Sequence, residues 1–320
     1  MYSYKHTTKH KAFTMIELIF VIVILGIVAS IASSVIVKVY ESYIYQKAIY
    51  NANLKTELAI NQLANRLSYR IDLSMLARDP NATKGYTSPG SVLPLNQVPL
   101  GQIDTYTALE WMSYDNDGFS NANPPIWSGF ADLNASSFTT LVTTGSKISS
   151  LTTFYQNLSG HFTGGPSDAP GLIFADDKYR SDRTYTTLCL YDNTANGCMS
   201  IISTTPTNNT IITLPKHGNR ATGKMYYAEM YKIVRSAYAV MPTPAPSING
   251  VKVWDLKLYY NYQPWLGEKM TDGENSTLLK NVSVFRFKQE DNALRIKLCT
   301  LEQVSDSSQI SICKEKAVMR

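Results

Sequence analysis

Phe13-Thr14-Met15-Ile16-Glu17-Leu18-Ile19 opens a run that then stays uncharged from Leu18 to Val37. As a helix rising 1.5 Å per residue, those twenty residues span about 30 Å, the thickness of bilayer hydrocarbon. Lys5, Lys9 and Lys11 precede the run. Positive charge stays on the cytoplasmic side, so the N-terminus is expected inside and the remainder exported. Glu17 is the anomaly. A charge at the centre of a membrane helix costs about 2.5–3.5 kcal/mol on insertion scales and less near its end. Such a carboxylate needs a partner.

Outward from this run the chain divides. No Pro occurs from Phe13 to Asp79, and the one Gly is Gly26, so the helix is free to continue beyond the membrane. Past Lys38 it turns amphipathic: Tyr40, Ile44, Ala48 and Ala52 recur every four residues, and Ile60, Leu63, Leu67 and Ile71 follow at spacings of three and four. Asp79-Pro80-Asn81 is turn chemistry and is expected to end it. The expected organisation is a leader at 1–12, a membrane half-helix at 13–37, an amphipathic half at 38–78 and a β-rich extracytoplasmic head at 79–320.

Within the head, residues 80 to about 210 are rich in Asn, Ser, Thr, Gly and Pro, and read as loops with short strands and one helix. The last third shows period-two alternation around Trp254–Tyr260, Val282–Phe287, Leu294–Cys299 and Ile310–Cys313. The expected class is α+β, a long N-terminal helix packed on an antiparallel sheet.

The opening residues resemble the prepilin leader of the type IV pilin-like family: a short basic leader, a small residue, then Phe-Thr-x-x-Glu at the start of a long apolar helix. Lys11-Ala12-Phe13-Thr14-Met15-Ile16-Glu17-Leu18-Ile19 carries the match. The resemblance implies a prepilin peptidase that cuts Ala12–Phe13 and methylates the new amine of Phe13. Ala12 stands where the family usually has Gly, and is small enough for the same pocket. The resemblance also gives Glu17 its partner, the N-terminal amine of a neighbouring subunit, so that charge pairing sets docking and register. It implies a structural subunit of a type IV pilus or type II secretion pseudopilus, of the larger minor-pilin, J-like or W-like kind. The partners would be the peptidase, other pilin subunits and the inner membrane. An ordinary signal-peptidase site at Ser30-Ile31-Ala32 is the rival; it would release a chain starting at Ser33.

The net charge of +5 is largely a topology signal. Without Lys5, Lys9 and Lys11, 27 Lys and Arg face 25 Asp and Glu. Nucleic acid is therefore not an expected partner, although a DNA-uptake receptor or tip adhesin is the binding-class alternative. The four cysteines form two close pairs, Cys189 with Cys198 and Cys299 with Cys313, which in an exported chain point to two disulfides. Cys299 and Cys313 both lie opposite the apolar faces of their strands, so a hairpin would bring their sulfurs to one side. Connectivity stays open at this point.

Other constellations are weak. Asp115-Asn116-Asp117-Gly118 looks like a calcium-loop fragment, with Asp115 and Asp117 as candidate ligands, but an EF-hand frame fails at Pro124, and an Asx turn is the plainer reading. Gly218 to Lys224 has phosphate-loop spacing, yet Met225 replaces the magnesium-binding hydroxyl. His161 and His217 sit in no metal or triad spacing. No resident cofactor is expected, and an anchored exported enzyme is the least supported class. The 21 tyrosines fit strand packing or a ligand-binding surface.

Overall fold

The computed structural model describes residues 14–81, 91–120, 123–158, 168–174, 190–191, 198–202, 208–214, 228–290, 293–305 and 308–319. Its first element is α1, Met15–Leu67, a helix of 53 residues, about 80 Å long at 1.5 Å per residue. Sixteen large apolar side chains between Met15 and Val37 are each more than half exposed. Burial begins at Ala52 and continues through Thr56, Ala59, Ile60, Leu63, Ala64 and Leu67. The amphipathic stripe read from sequence is thus the docking face only in its second half; Tyr40 is exposed.

The helix stops eleven residues short of 78. Neither Gly nor Pro ends it, and the capping residue Ser68 keeps right-handed helical dihedrals. Tertiary capture does the work. The amide of Ile71 donates to Met112 O at 2.8 Å, and that of Tyr114 to Tyr69 O at 3.1 Å, so the chain pairs with a strand edge. Arg70 reinforces the exit: Nη1 donates to Leu67 O (3.1 Å), Nη2 to Val318 O (3.3 Å), and Nε meets Asp72 Oδ1 at 2.8 Å. A cation at a helix C-terminus is favoured by the dipole and satisfies the last carbonyls. Ile71 consequently leaves the helical stripe for the opposite core. Asp79–Asn81 is an Asx turn (Asn81 N to Asp79 Oδ1, 2.9 Å), but a short strand already precedes it.

That strand, β1 (Leu76–Arg78), is followed by β2 (Val92–Pro94), β3 (Ala108–Tyr114), the short α2 (Asn116–Ser120), β4 (Thr140–Val142), α3 (Leu151–Leu158), β5 (Gly171–Phe174), β6 (Ser200–Ile201) and β7 (Ile211–Thr213). The long strands come last: β8 (Tyr231–Pro244), β9 (Trp254–Tyr262), β10 (Glu274–Glu290), β11 (Ala293–Gln303) and β12 (Gln309–Met319). The main sheet runs β12-β11-β10-β9-β8-β3-β1-β2, antiparallel throughout, with β5 extending along β8 beside β6. β4 and β7 pair separately. The fold is α+β, a long helix against an antiparallel sheet.

Side-chain alternation sorts the core. Leu109, Trp111, Val240, Leu256, Leu258, Leu294, Ile296 and Leu298 meet Ile60, Leu63 and Leu67 of α1. Met112, Ala237, Ala239, Tyr259 and Tyr262 turn to the other face, under Leu190, Tyr191, Met199 and Trp265. A third cluster, with Trp127, Tyr155 and Phe174, fills the space beside the start of β8. Each fully buried Leu or Ile is worth about 1.5–3 kcal/mol, which makes the apolar seam the main bond between helix and head. Ion pairs Lys55–Glu302 (3.5 Å) and Glu57–Lys314 (3.3 Å) edge that seam. Lys314 beside it holds the Glu57 carboxyl below its ordinary range.

β11 and β12 pair with Cys299 directly opposite Cys313, and the two form a disulfide. Cys198 is also disulfide-bonded; the cysteine expected as its partner, Cys189, lies outside the described residues. Bridging a loop of this length is worth about 3 kcal/mol in the chain-entropy model. The double substitution Cys299→Ser and Cys313→Ser is expected to lower unfolding free energy by about that amount. Urea titration of the full chain in detergent checks it, and a loss below about 1 kcal/mol would show the hairpin closed without the bond.

Candidate functional site

The start of α1 is built around two side chains. Thr14, with extended dihedrals, is the N-cap, and its hydroxyl accepts from the amide of Glu17 at 3.4 Å. Glu17 answers: Oε2 accepts from the Thr14 amide at 3.3 Å and from its hydroxyl at 3.2 Å. This reciprocal capping box satisfies orphan amides of the first turn and sets a carboxylate at the positive end of the helix dipole. Thr14-x-x-Glu17 is a capping signature that the residues display openly. Its significance is that Glu17 already has local partners in the single chain. Ala12 and Phe13, the expected cut site and methylated residue, lie outside the described residues, as do Lys5, Lys9 and Lys11.

Beyond the cap the helix is apolar and uncovered. Met15, Ile16 and Leu18 through Leu25 are all exposed in the isolated chain. At about 1.5–3 kcal/mol per large side chain, leaving sixteen of them in water costs tens of kcal/mol. Lipid or other helices must cover this surface, and its single carboxylate then sits at the edge of whatever covers it. The helix is long and apolar enough to cross a membrane.

The acidic fragment resolves into a turn. Asp115 Oδ1 accepts from Gly118 N (3.0 Å), while Oδ2 accepts from Tyr155 Oη (2.7 Å) and Trp127 Nε1 (3.2 Å). A Cβ at Gly118 would collide with this carboxylate, so the tight turn needs glycine there. Burial raises the Asp115 pKa above the ordinary carboxylate range, against the lowering effect of those three bonds. Both oxygens are thus committed to capping α2 and tying it to α3. Asp117 is exposed beside it, where its charge pushes the Asp115 pKa up further, and no group of three His, Cys, Asp or Glu side chains suited to a metal occurs among the described residues. The segment with phosphate-loop spacing, His161 and His217 fall outside the described residues.

Residues 7–33 match the family model described as the prokaryotic N-terminal methylation motif. No curated protein and no solved structure matches the chain. The matched segment covers the second half of the basic leader with Lys9 and Lys11, the capping box and most of the uncovered apolar run. Carrying this methylation motif on a long apolar helix ahead of a β-rich head, the chain fits the type IV pilin-like family.

Proposed function

We propose that the chain is a structural subunit of a type IV pilus or type II secretion pseudopilus, cut between Ala12 and Phe13 and assembled through α1. The observation that carries the reading is the helix surface from Met15 to Val37. It is uncovered along its whole length, bears the one carboxylate Glu17, and lies for the most part within the methylation motif. A membrane holds such a helix in the monomer, and a bundle of identical or related helices holds it in a filament. The head would lie on the exported side. Lys5, Lys9 and Lys11 support that orientation, and so does the disulfide Cys299–Cys313, since an oxidising compartment is where such bonds persist.

Processing is the direct test. The mature chain is expected to begin at Phe13 with a methylated amine, as read by intact mass and N-terminal peptide analysis of membrane fractions. A mature start at Met1 or Ser33, in a host with a working prepilin peptidase, would overturn the assignment. An Ala12→Gly variant restores the usual residue before the cut and is expected to be processed at least as fast. An Ala12→Leu variant, too large for a pocket that takes Gly or Ala, is expected to accumulate uncut.

A further inference from the structure

A cleft of about 610 Å³ opens between the last turns of α1, the end of β3 and the middle of β8. That volume is in the range of small-ligand sites, roughly 300–1,000 Å³. Arg66 and Tyr69 come from the helix end, Tyr114 and Asp117 from β3 and the turn after it, and Arg235 and Tyr238 from β8. The site lies where the end of α1 meets the head, far along the helix from the uncovered run Met15–Val37.

Its aromatic groups are held in place. Tyr238 stacks on the fully buried Trp111, with ring centres 5.8 Å apart and planes 22° apart. The Arg66 guanidinium lies over the other partner of that stack, 5.6 Å from the Tyr238 ring. Tyr69 meets Tyr114 edge to face at 5.7 Å. The Arg235 guanidinium lies 5.9 Å from the ring of the buried Tyr155. Stacking uses the flat face of a guanidinium and leaves its N–H donors, which lie in the plane, free for a ligand. Neither arginine has a carboxylate partner among the described residues; the guanidinium of Arg235 makes one long bond, 3.5 Å, to Asn261 Oδ1. Side chains fixed in this way lose little entropy when they bind.

The balance of donors and acceptors selects the ligand. The two guanidiniums want an anionic or strongly accepting group, best a planar carboxylate. The exposed Asp117, which makes no hydrogen bond to other described residues, wants hydroxyl or N–H donors. The tyrosine faces want a flat apolar surface. A DNA backbone brings phosphates but no hydroxyl or N–H donors for Asp117. A sugar ring carrying a carboxylate supplies all three features. We infer that this cleft binds an acidic oligosaccharide, with a ring face on Tyr69, a carboxylate on Arg66 and Arg235, and hydroxyls on Asp117.

The test uses the full chain in detergent micelles, with saturation-transfer NMR and titration. The acidic probes are trigalacturonate, a hyaluronan tetrasaccharide and 3′-sialyllactose; the controls are cellotriose, lactose and an oligothymidylate of about ten nucleotides. At least one acidic probe is expected to bind at least about tenfold more tightly than every control, the gain of one charge-assisted bidentate contact. Arg235→Gln and Tyr69→Ala should each weaken that binding about tenfold. Arg66→Lys, which keeps the charge and loses the fork, should weaken it by about three- to tenfold. Arg295→Gln, on a strand remote from the cleft lining, should leave it unchanged. Arg66 and Tyr69 are exposed, so their variants carry the test if Arg235→Gln fails to fold. The proposal is overturned if no acidic probe binds below about 10 mM, if a neutral sugar or the oligonucleotide binds as tightly, or if the cleft variants bind like the parent.

Discussion

Replacing Glu110 with alanine is expected to lower the unfolding free energy of the head by about 3–5 kcal/mol, the cost of breaking a buried ion pair from one side. Glu110 is fully buried in β3. Its Oε2 accepts from Arg78 Nε at 2.8 Å, and its Oε1 accepts from Tyr262 Oη, also at 2.8 Å. Arg78 belongs to β1 and Tyr262 to β9, so one carboxylate ties three strands of the sheet. Removing it leaves a buried guanidinium and a buried phenol without that acceptor. The same charge bears on the buried Tyr191: desolvation first, then the nearby Glu110 carboxylate, push its hydroxyl well above the ordinary range.

The expected loss is a large share of a domain's total stability, roughly 5–15 kcal/mol, so the midpoint in urea should fall sharply. Tyr262→Phe should cost less, about 1.5–3 kcal/mol, because it deletes one hydrogen bond to a charge and leaves the ion pair. The double variant Arg78→Met with Glu110→Leu should recover most of the Glu110→Ala loss, since an apolar pair of similar volume leaves no buried charge. A Glu110→Ala loss below about 1 kcal/mol would mean that water or another group replaces the carboxylate, and the tie between strands would then be incidental.

Glu110 also marks where sequence reading stops. The late strands were legible because β11 and β12 cover only one apolar face each: Arg295 and Lys297 are exposed while Leu294, Ile296 and Leu298 are buried. That alternation pointed to a hairpin with both sulfurs on one side; the register that sets Cys299 opposite Cys313 came with the structure. β3 lacks such a pattern. Ala108 through Met112 are all buried, because the strand is covered on both faces, so the period-two signal vanishes. A glutamate in its middle then looks like a solvent-facing residue. The helix end was hidden for a related reason. No Gly or Pro stops α1 at Leu67; the stop comes with the pairing of Tyr69 and Ile71 to the edge of β3 and with the bond from Arg70 to Val318 O, contacts made across dozens of residues. The cleft is less legible still, for its side chains come from the helix, β3 and β8 and share no spacing.

At the other end of the molecule, Glu17→Gln is expected to abolish most incorporation into sheared filaments while leaving the monomer capped, inserted and cut. Two separable roles meet at Glu17, one seen in the structure and one proposed. One is local, the capping box with Thr14. The other, proposed with the pilin reading, is pairing with the positive amine of a neighbour. Gln is an accepted partner in a capping box, so the substitution keeps the first role and removes the second. Glu17→Ala removes both. The loss of the cap costs about 1 kcal/mol of helix stability, but the loss of the charge eases insertion by up to a few kcal/mol on insertion scales. Both variants should therefore reach normal membrane levels and be cut before Phe13, since cleavage reads the residues that flank the bond. Thr14→Val is the reciprocal test: it removes the hydroxyl of the cap and keeps the charge. If charge pairing governs assembly, Thr14→Val should assemble far better than Glu17→Gln. If capping governs it, the order reverses. Glu17→Asp, with the charge kept and the reach shortened, should fall between Glu17→Gln and the parent. Crosslinking to the major subunit and the content of sheared filaments read all four variants. Wild-type assembly by Glu17→Gln at normal membrane level would leave the carboxylate a helix cap and nothing more, and the charge-pairing step would have to be given up.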